Sequence, residues 1–176
     1  MSSDRIHRHN RVRNLVDRIA QEGMLSPIME KKHILGDVDG RRPGDVSLPL
    51  WRANKGLAID VAVTCPLASS YLNDAKHCET YAEFKKHAYY DEGFKGTRFE
   101  FAAMETAGGT NEEGLEVLRQ LFRFAAKHQN VQLSVYCGRA WARLACNIQS
   151  SLSQCFLNRA GSLAAVEKEI DFITLF

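Results

Sequence analysis

The stretch Ala58-Ile59-Asp60-Val61-Ala62-Val63-Thr64 is an apolar run with one carboxylate in its middle. Because the side chains of a strand alternate between its two faces, Ile59, Val61 and Val63 are expected to point into a core. The other face carries Asp60 between small residues, which leaves room for another group beside the carboxylate. Two interpretations of Asp60 are open at this point: a hydrogen-bonded structural acid in a core strand, or part of a functional site.

Length and composition are those of a soluble globular protein. The chain has 176 residues, of which 45% are hydrophobic and 25% charged, and it suits a single domain over 1–176. No segment approaches the ~20 apolar residues of a membrane span, and the first residues lack the apolar core of a signal peptide. We therefore expect an intracellular protein, nuclear in a eukaryotic cell, with no membrane partner.

The charge is distributed unevenly along the chain. The net charge is only +2, but residues 1–55 contain eleven Lys and Arg against seven Asp and Glu. Arg8 and Arg11 lie in the first predicted helix, where they can contact phosphates or form a solvated face. The five cysteines include no CxxC pair, and this favours thiols in a reducing compartment over a disulfide framework.

Hydrophobic periodicity and turn residues predict a mixed α/β chain. In chain order, the predicted elements are a helix over 4–22, a strand within 28–35, a turn at 36–40, strands over 46–50 and 57–64, a helix over 74–92, a strand over 97–106, and helices over 112–129, 140–159 and 162–176. The short link between the second and third strands predicts an antiparallel hairpin. A small mixed β-sheet flanked by helices is the packing expected for this order.

A second acid, Asp45, precedes the hairpin behind Pro43-Gly44. The hairpin directs Asp45 and Asp60 into the same space, where two carboxylates can hold Mg²⁺. Such a site also requires a cation, which is expected two residues after Asp60 on the same face. That position is Ala62.

The following helix can supply the missing cation. Lys86 and Tyr90 are four residues apart and share one face, and Lys85 and Tyr89 share another. A lysine reaches Asp60 if this helix packs on the small-residue face at Ala62. Without the two aspartates, both lysines would be interpreted as surface residues.

These residues together resemble a known nuclease family. The quoted runs are Arg42-Pro43-Gly44-Asp45-Val46, Ile59-Asp60-Val61-Ala62-Val63-Thr64, Lys86-His87-Ala88-Tyr89-Tyr90 and Met104-Glu105-Thr106-Ala107-Gly108-Gly109. In this order they resemble the restriction-endonuclease-like, or PD-(D/E)xK, nuclease domain, in particular the type associated with reverse transcriptases of non-LTR retrotransposons. The opening Arg8-His9-Asn10-Arg11-Val12-Arg13 and the stretch Ser151–Ala160 resemble the leading and trailing helices of that type, so the resemblance spans nearly the whole chain.

The resemblance implies a restriction-endonuclease-like core and a Mg²⁺- or Mn²⁺-dependent DNA endonuclease that serves a retroelement. Asp45 and Asp60 would bind the metal, and Glu30 is matched by order to a further metal-binding acid. Lys86 would be the catalytic cation, Lys85 its substitute, and Tyr90 would orient Lys86 or a phosphate.

The implied partners are DNA, a reverse transcriptase or another targeting protein, and a second copy in a homodimer. Arg8, Arg11 and Arg42 are the predicted DNA-binding residues. Two departures from the family support an alternative, a non-catalytic DNA-binding or assembly module on the same fold. The strand has Ala62 where a cation is expected, and Tyr89 stands at the second lysine of the family pattern K-x-x-K-Y.

Overall fold

The computed structural model of the chain describes residues 3–35, 42–63, 74, 76–106 and 110–173. Its elements, in chain order, are α1 (Ser3–Glu22), β1 (Ile28–Met29), β2 (Val46–Arg52), β3 (Lys55–Val63), α2 (His77–Tyr81), a π-helical segment (Ala82–His87), α3 (Ala88–Phe94), β4 (Phe99–Thr106), α4 (Glu112–His128) and α5 (Leu133–Ile173). The described chain is therefore mixed α/β, as the sequence predicts. In this part of the chain, no helix combines the length and the apolar character that crossing a bilayer requires.

The four strands form one mixed sheet in the order β1-β2-β3-β4. β1 pairs with β2 and β2 with β3 in antiparallel orientation, and β3 pairs with β4 in parallel orientation. The predicted antiparallel hairpin is confirmed. β3 lies between two hydrogen-bonded neighbours, and its residues 56–61 are buried, so both faces of this strand are covered.

The two faces of β3 face different cores. Ile59 and Val61 belong to the main core, which α1, α4 and α5 cover, and Val63 packs against it. Ala58 lies on the opposite face with Phe94 in a smaller apolar cluster. The expected orientation of this strand is therefore confirmed up to Val63, while Thr64 lies outside the described residues.

Three predicted boundaries were wrong. The strand within 28–35 is only Ile28–Met29, because Glu30 has a φ of 47° that a strand does not tolerate. The helix expected over 74–92 begins at His77 and ends at Phe94, so Gly93 does not stop it. The predicted turn at 36–40 lies outside the described residues.

The third wrong boundary is in the C-terminal part. Two helices were predicted with a break at Gly161, but α5 continues through this position to Ile173. Gly161 is exposed and has no neighbouring atom within 4 Å of the place of a Cβ. A solvent-exposed glycine costs a helix only about 1 kcal/mol, which a helix of this length tolerates.

Candidate functional site

Asp45 lies where β2 and β3 begin to separate. Its backbone N–H donates to the carbonyl of Ile59 at 2.8 Å. The next hydrogen bond between the two segments uses the Asp45 side chain: the N–H of Val61 donates to Asp45 Oδ2 at 2.7 Å. Since Val46 pairs with Ile59, the antiparallel register places Asp45 beside Asp60.

Gly44 allows this close approach. Its φ is +156°, and a Cβ there would lie 3.2 Å from Ala58 Cβ and 3.4 Å from the Ile59 carbonyl oxygen. A side chain at this position would therefore push the chain carrying Asp45 away from β3.

Asp60 is a buried carboxylate in contact with a lysine. The residue is 8% exposed, and Lys86 Nζ lies 2.6 Å from Asp60 Oδ2. At this distance the ammonium group of Lys86 is the direct charged partner of the buried carboxylate oxygen. Of the two candidate lysines, Lys86 is the one that contacts Asp60, and its role as the cation of the site stays a prediction.

Electrostatics at this pair follow from burial and from the neighbouring charges. Burial raises the pKa of Asp60 above its usual value; Lys86 lowers it and Asp45 raises it, and the net result is a raised pKa. Burial alone would lower the pKa of Lys86, but the contact with Asp60 outweighs it and raises that pKa. Lys86 is therefore a cation at neutral pH.

A π-helical segment presents this lysine. Residues Ala82–His87 form the segment, a geometry that is rare and frequent at functional sites. Lys85 and Tyr89 are exposed, whereas Lys86 and Tyr90 are half-buried. Burial, and then the charge of Asp60, raise the pKa of the Tyr90 phenol. The structure thus brings Lys86 and Tyr90 to the acids, and it leaves Lys85 at the surface.

His9 and Arg8 of α1 approach the same place from the other side. His9 Nε2 lies 3.2 Å from Asp45 Oδ1, and this hydrogen bond, opposed by burial, raises the pKa of the imidazole. Arg8 makes a long contact of 3.5 Å from a terminal nitrogen to the Val63 carbonyl oxygen. Its Nε is buried without a hydrogen bond among the described residues. The sequence carries no signal for the contact between His9 and Asp45, because the two residues are 36 positions apart.

Glu30 is close to Asp45 by its backbone but has other side-chain partners. Its N–H donates to the Asp45 carbonyl at 2.9 Å. Its carboxylate accepts from Arg13 at 2.6 Å and also pairs with Arg42. A role for Glu30 as a metal ligand stays a prediction, and two guanidinium groups occupy this carboxylate in the structure.

Arg11 points away from the two aspartates. It donates to Ser150 Oγ of α5 at 2.7 Å. The structure therefore separates the side chains of the three predicted DNA-binding arginines: that of Arg8 contacts the end of β3, that of Arg11 contacts α5, and that of Arg42 pairs with Glu30. Their contact with DNA stays a prediction. The backbone of Glu105 in β4 pairs with Ala62, its side chain lies outside the described part of the chain, and the break predicted at Gly108-Gly109 lies outside it as well.

A histidine next to the lysine anchors the π-helical segment. His87 Nε2 lies 2.8 Å from Glu113 Oε2, and Nδ1 lies 2.8 Å from Asp91 Oδ1. Glu113 also accepts a hydrogen bond from the N–H of Ala103 in β4 at 2.9 Å. The sequence carried no signal for this connection, because Glu113 looks like an ordinary acid in the first turn of α4.

The donor set at the two aspartates fits Mg²⁺. In the described ranges, no group of three or more His, Cys, Asp or Glu side chains is arranged to hold a metal by itself. Mg²⁺ needs less, because it commonly binds through one or two carboxylates and completes its shell with waters and substrate phosphates. Asp45 and Asp60 supply two carboxylates that the register of β2 and β3 brings side by side, and a metal would share the Asp60 carboxylate with Lys86. These two residues could therefore hold the ion.

No protein-family model matches the chain, and no curated protein sequence matches it.

Proposed function

We propose that this chain is a Mg²⁺-dependent DNA endonuclease that hydrolyses phosphodiester bonds on a restriction-endonuclease-like core. One observation carries the proposal: Lys86 reaches the buried Asp60 from a neighbouring helical segment. This cation contacts Asp60 of β3, and Asp45, which directly precedes β2, lies opposite Asp60 in the register; the motif order predicts this combination. The mixed sheet flanked by helices is compatible with such a core.

Each residue of the site has a physical role in this proposal. Asp45 and Asp60 would hold Mg²⁺ or Mn²⁺, which supplies activation of the attacking water and neutralises charge on the scissile phosphate. Lys86 keeps a positive charge at the same place, where it stabilises negative charge that develops on the phosphate. Tyr90 keeps its proton at neutral pH and can donate a hydrogen bond to a phosphate oxygen. His9 holds the Asp45 carboxylate in position.

Substrate binding would involve the arginine at the end of β3. A terminal nitrogen of Arg8 makes only a long contact of 3.5 Å to the Val63 carbonyl, and a guanidinium group binds phosphate oxygens well. Service to a retroelement, with a reverse transcriptase or another targeting protein as partner, follows from the resemblance alone. A homodimer would allow both strands to be cut, since each chain offers one such site.

The test is cleavage of supercoiled plasmid DNA by purified protein with Mg²⁺ or Mn²⁺. Wild type should nick the plasmid, and Asp60→Asn and Lys86→Met should each lower the rate at least about a hundredfold. Lys85→Met is the matched control, because it removes an adjacent but exposed lysine, and its rate should stay within about twofold of wild type. Equal nicking by wild type, Asp60→Asn and Lys86→Met would refute the proposal.

A specific observation favours the alternative of a non-catalytic DNA-binding module. Both oxygens of Asp45 already accept contacts, from His9 and from the Val61 N–H, and Asp60 is neutralised by Lys86. The cluster can therefore be stable without a metal. DNA binding that is independent of Mg²⁺, with no cleavage under any divalent ion, would support this alternative.

A further inference from the structure

A basic pocket lies at the end of the sheet away from Asp60. It has a volume of about 620 Å³ and lies between the β2–β3 turn, the start of β4 and the segment after β1. At 3.3 Å per residue along β3, Gly56 in this pocket is roughly 13 Å from Asp60. The pocket is therefore separate from the candidate active site.

The lining of the pocket is strongly cationic. It contains Lys31, Arg52, Lys55 and Arg98, and no lining residue is acidic. Arg52 has a carboxylate partner, Glu100, at 3.4 Å. For Lys55 and Arg98, no carboxylate lies within ion-pair distance in the described part of the chain. Positive charges that converge without counter-charges repel each other, and an anionic ligand would relieve that repulsion.

The floor of the pocket is formed by the backbone of Gly56 and the ring of Phe99. The N–H of Gly56 donates to the Arg98 carbonyl at 2.8 Å, which ties the turn that carries Lys55 to the start of β4. The Phe99 ring packs against Gly56, where a Cβ would lie 2.5 Å from a ring carbon. Lys31 Nζ lies 4.8 Å from the centroid of the same ring. The aromatic ring is thus occupied, so charge is the main feature that this pocket offers to a ligand.

We infer that this pocket binds phosphate groups, and that it contacts the backbone of a nucleic acid outside the cleavage centre. The second part rests on the proposed function, since a nuclease brings DNA phosphates to the same surface. The rise of DNA is about 3.4 Å per base pair, so the separation from Asp60 corresponds to about four base pairs. Because the ring face is covered by Lys31, the contact is expected to be independent of base sequence.

The test compares two variants that each lose two charges. Lys55→Gln/Arg98→Gln removes the unpaired cations of the pocket, and Lys127→Gln/Arg139→Gln removes one exposed cation from α4 and one from α5 as the control. Fluorescence anisotropy measures binding of a short duplex over a range of salt, in EDTA, so the result does not depend on cleavage. A plot of log affinity against log salt has a negative slope, and the pocket variant should make this slope shallower by about 1.8, the value for two phosphate contacts. The control should make it shallower by less than half of that.

A second arm identifies the source of the phosphate. Thermal stabilisation by tripolyphosphate is measured for the same proteins after circular dichroism has shown that both variants are folded. Loss of this stabilisation in the pocket variant, with an unchanged DNA slope, would assign the pocket to a free phosphate compound. If pocket and control variants have the same DNA slope and the same response to tripolyphosphate, the inference is wrong, whether or not wild type cleaves DNA.

Discussion

Asp60 and Lys86 form a largely buried charged pair, and loss of the lysine is expected to lower the stability of the protein. The side chains are 11% and 21% exposed. Removal of the lysine leaves a buried carboxylate without its ion-pair partner, a change that is usually more costly than loss of a surface pair. The carboxyl can escape part of this cost by taking up a proton, so the effect depends on pH.

We expect Lys86→Met to lower the free energy of unfolding by about 2 kcal/mol at about pH 8. The variant removes the charge that lowers the pKa of Asp60, so this pKa rises further above its unfolded value. A raised folded pKa means that the folded state holds the proton more tightly, and stability falls as pH rises through that pKa. The loss should therefore be smaller at about pH 4.5. Urea denaturation at the two pH values measures it.

Lys85→Met is the control for this measurement, because Lys85 is the exposed neighbour of Lys86. It should change the unfolding free energy by no more than about 0.5 kcal/mol at either pH. Equal effects of the two substitutions would show that the contact between Lys86 and Asp60 does not form in solution.

At the level of secondary-structure elements, the position of Lys86 depends on the π-helical segment and its attachment to the sheet. The attachment is Glu113, which accepts from both His87 and the backbone of Ala103. The edge of the His87 ring also packs on Phe101, with centroids 5.3 Å apart. His87 directly follows Lys86, so these contacts fix the backbone beside the lysine to β4.

His87→Gln should destabilise the protein more at low pH than at high pH. Burial lowers the pKa of His87, but the carboxylates of Glu113 and Asp91 outweigh it, so the folded pKa lies above the usual 6.5. The stabilisation is complete below the unfolded pKa and is lost as pH rises through the folded one. We expect a loss of about 1 kcal/mol at about pH 5.5 and a clearly smaller loss at about pH 9. Urea denaturation at these two pH values measures it.

His128→Gln, at the exposed end of α4, is the control. It removes a histidine without the contacts of His87, so its effect on stability should be nearly the same at both pH values. A loss for His87→Gln that is the same at both pH values, or one that grows with pH, would contradict the charged contact of His87 with Glu113 and Asp91.

At the level of the whole molecule, the sheet separates a stabilising face from a candidate reactive face. The three long helices α1, α4 and α5 cover one side of β3, where Ile59 and Val61 are buried. The other side carries Asp60, the small apolar cluster and the segment with Lys86. β3 belongs to both, because its residues alternate between the faces.

This alternation explains how much could be predicted from the sequence. The strand around Asp60 and its hairpin with β2 follow from period-two patterning, and helical spacing predicts that a lysine of the next helix is a candidate partner of Asp60. The π-helical segment, the Glu113–His87 contact and the two arginines on Glu30 do not follow from such patterns, because they depend on tertiary contacts between distant segments. The helix end predicted at Gly161 was wrong because a single glycine, which is a local signal, does not end a helix as long as α5.

We propose that Asp45 and Asp60 form a metal site beside Lys86. The anomalous signal of Mn²⁺ soaked into a crystal would locate such an ion. We expect a peak within coordination distance of one oxygen of each aspartate, with Lys86 Nζ nearby, and no peak there in Asp60→Asn. A wild-type crystal without an anomalous peak between the two aspartates, with Lys86 still in contact with Asp60, would show that they do not form a metal site.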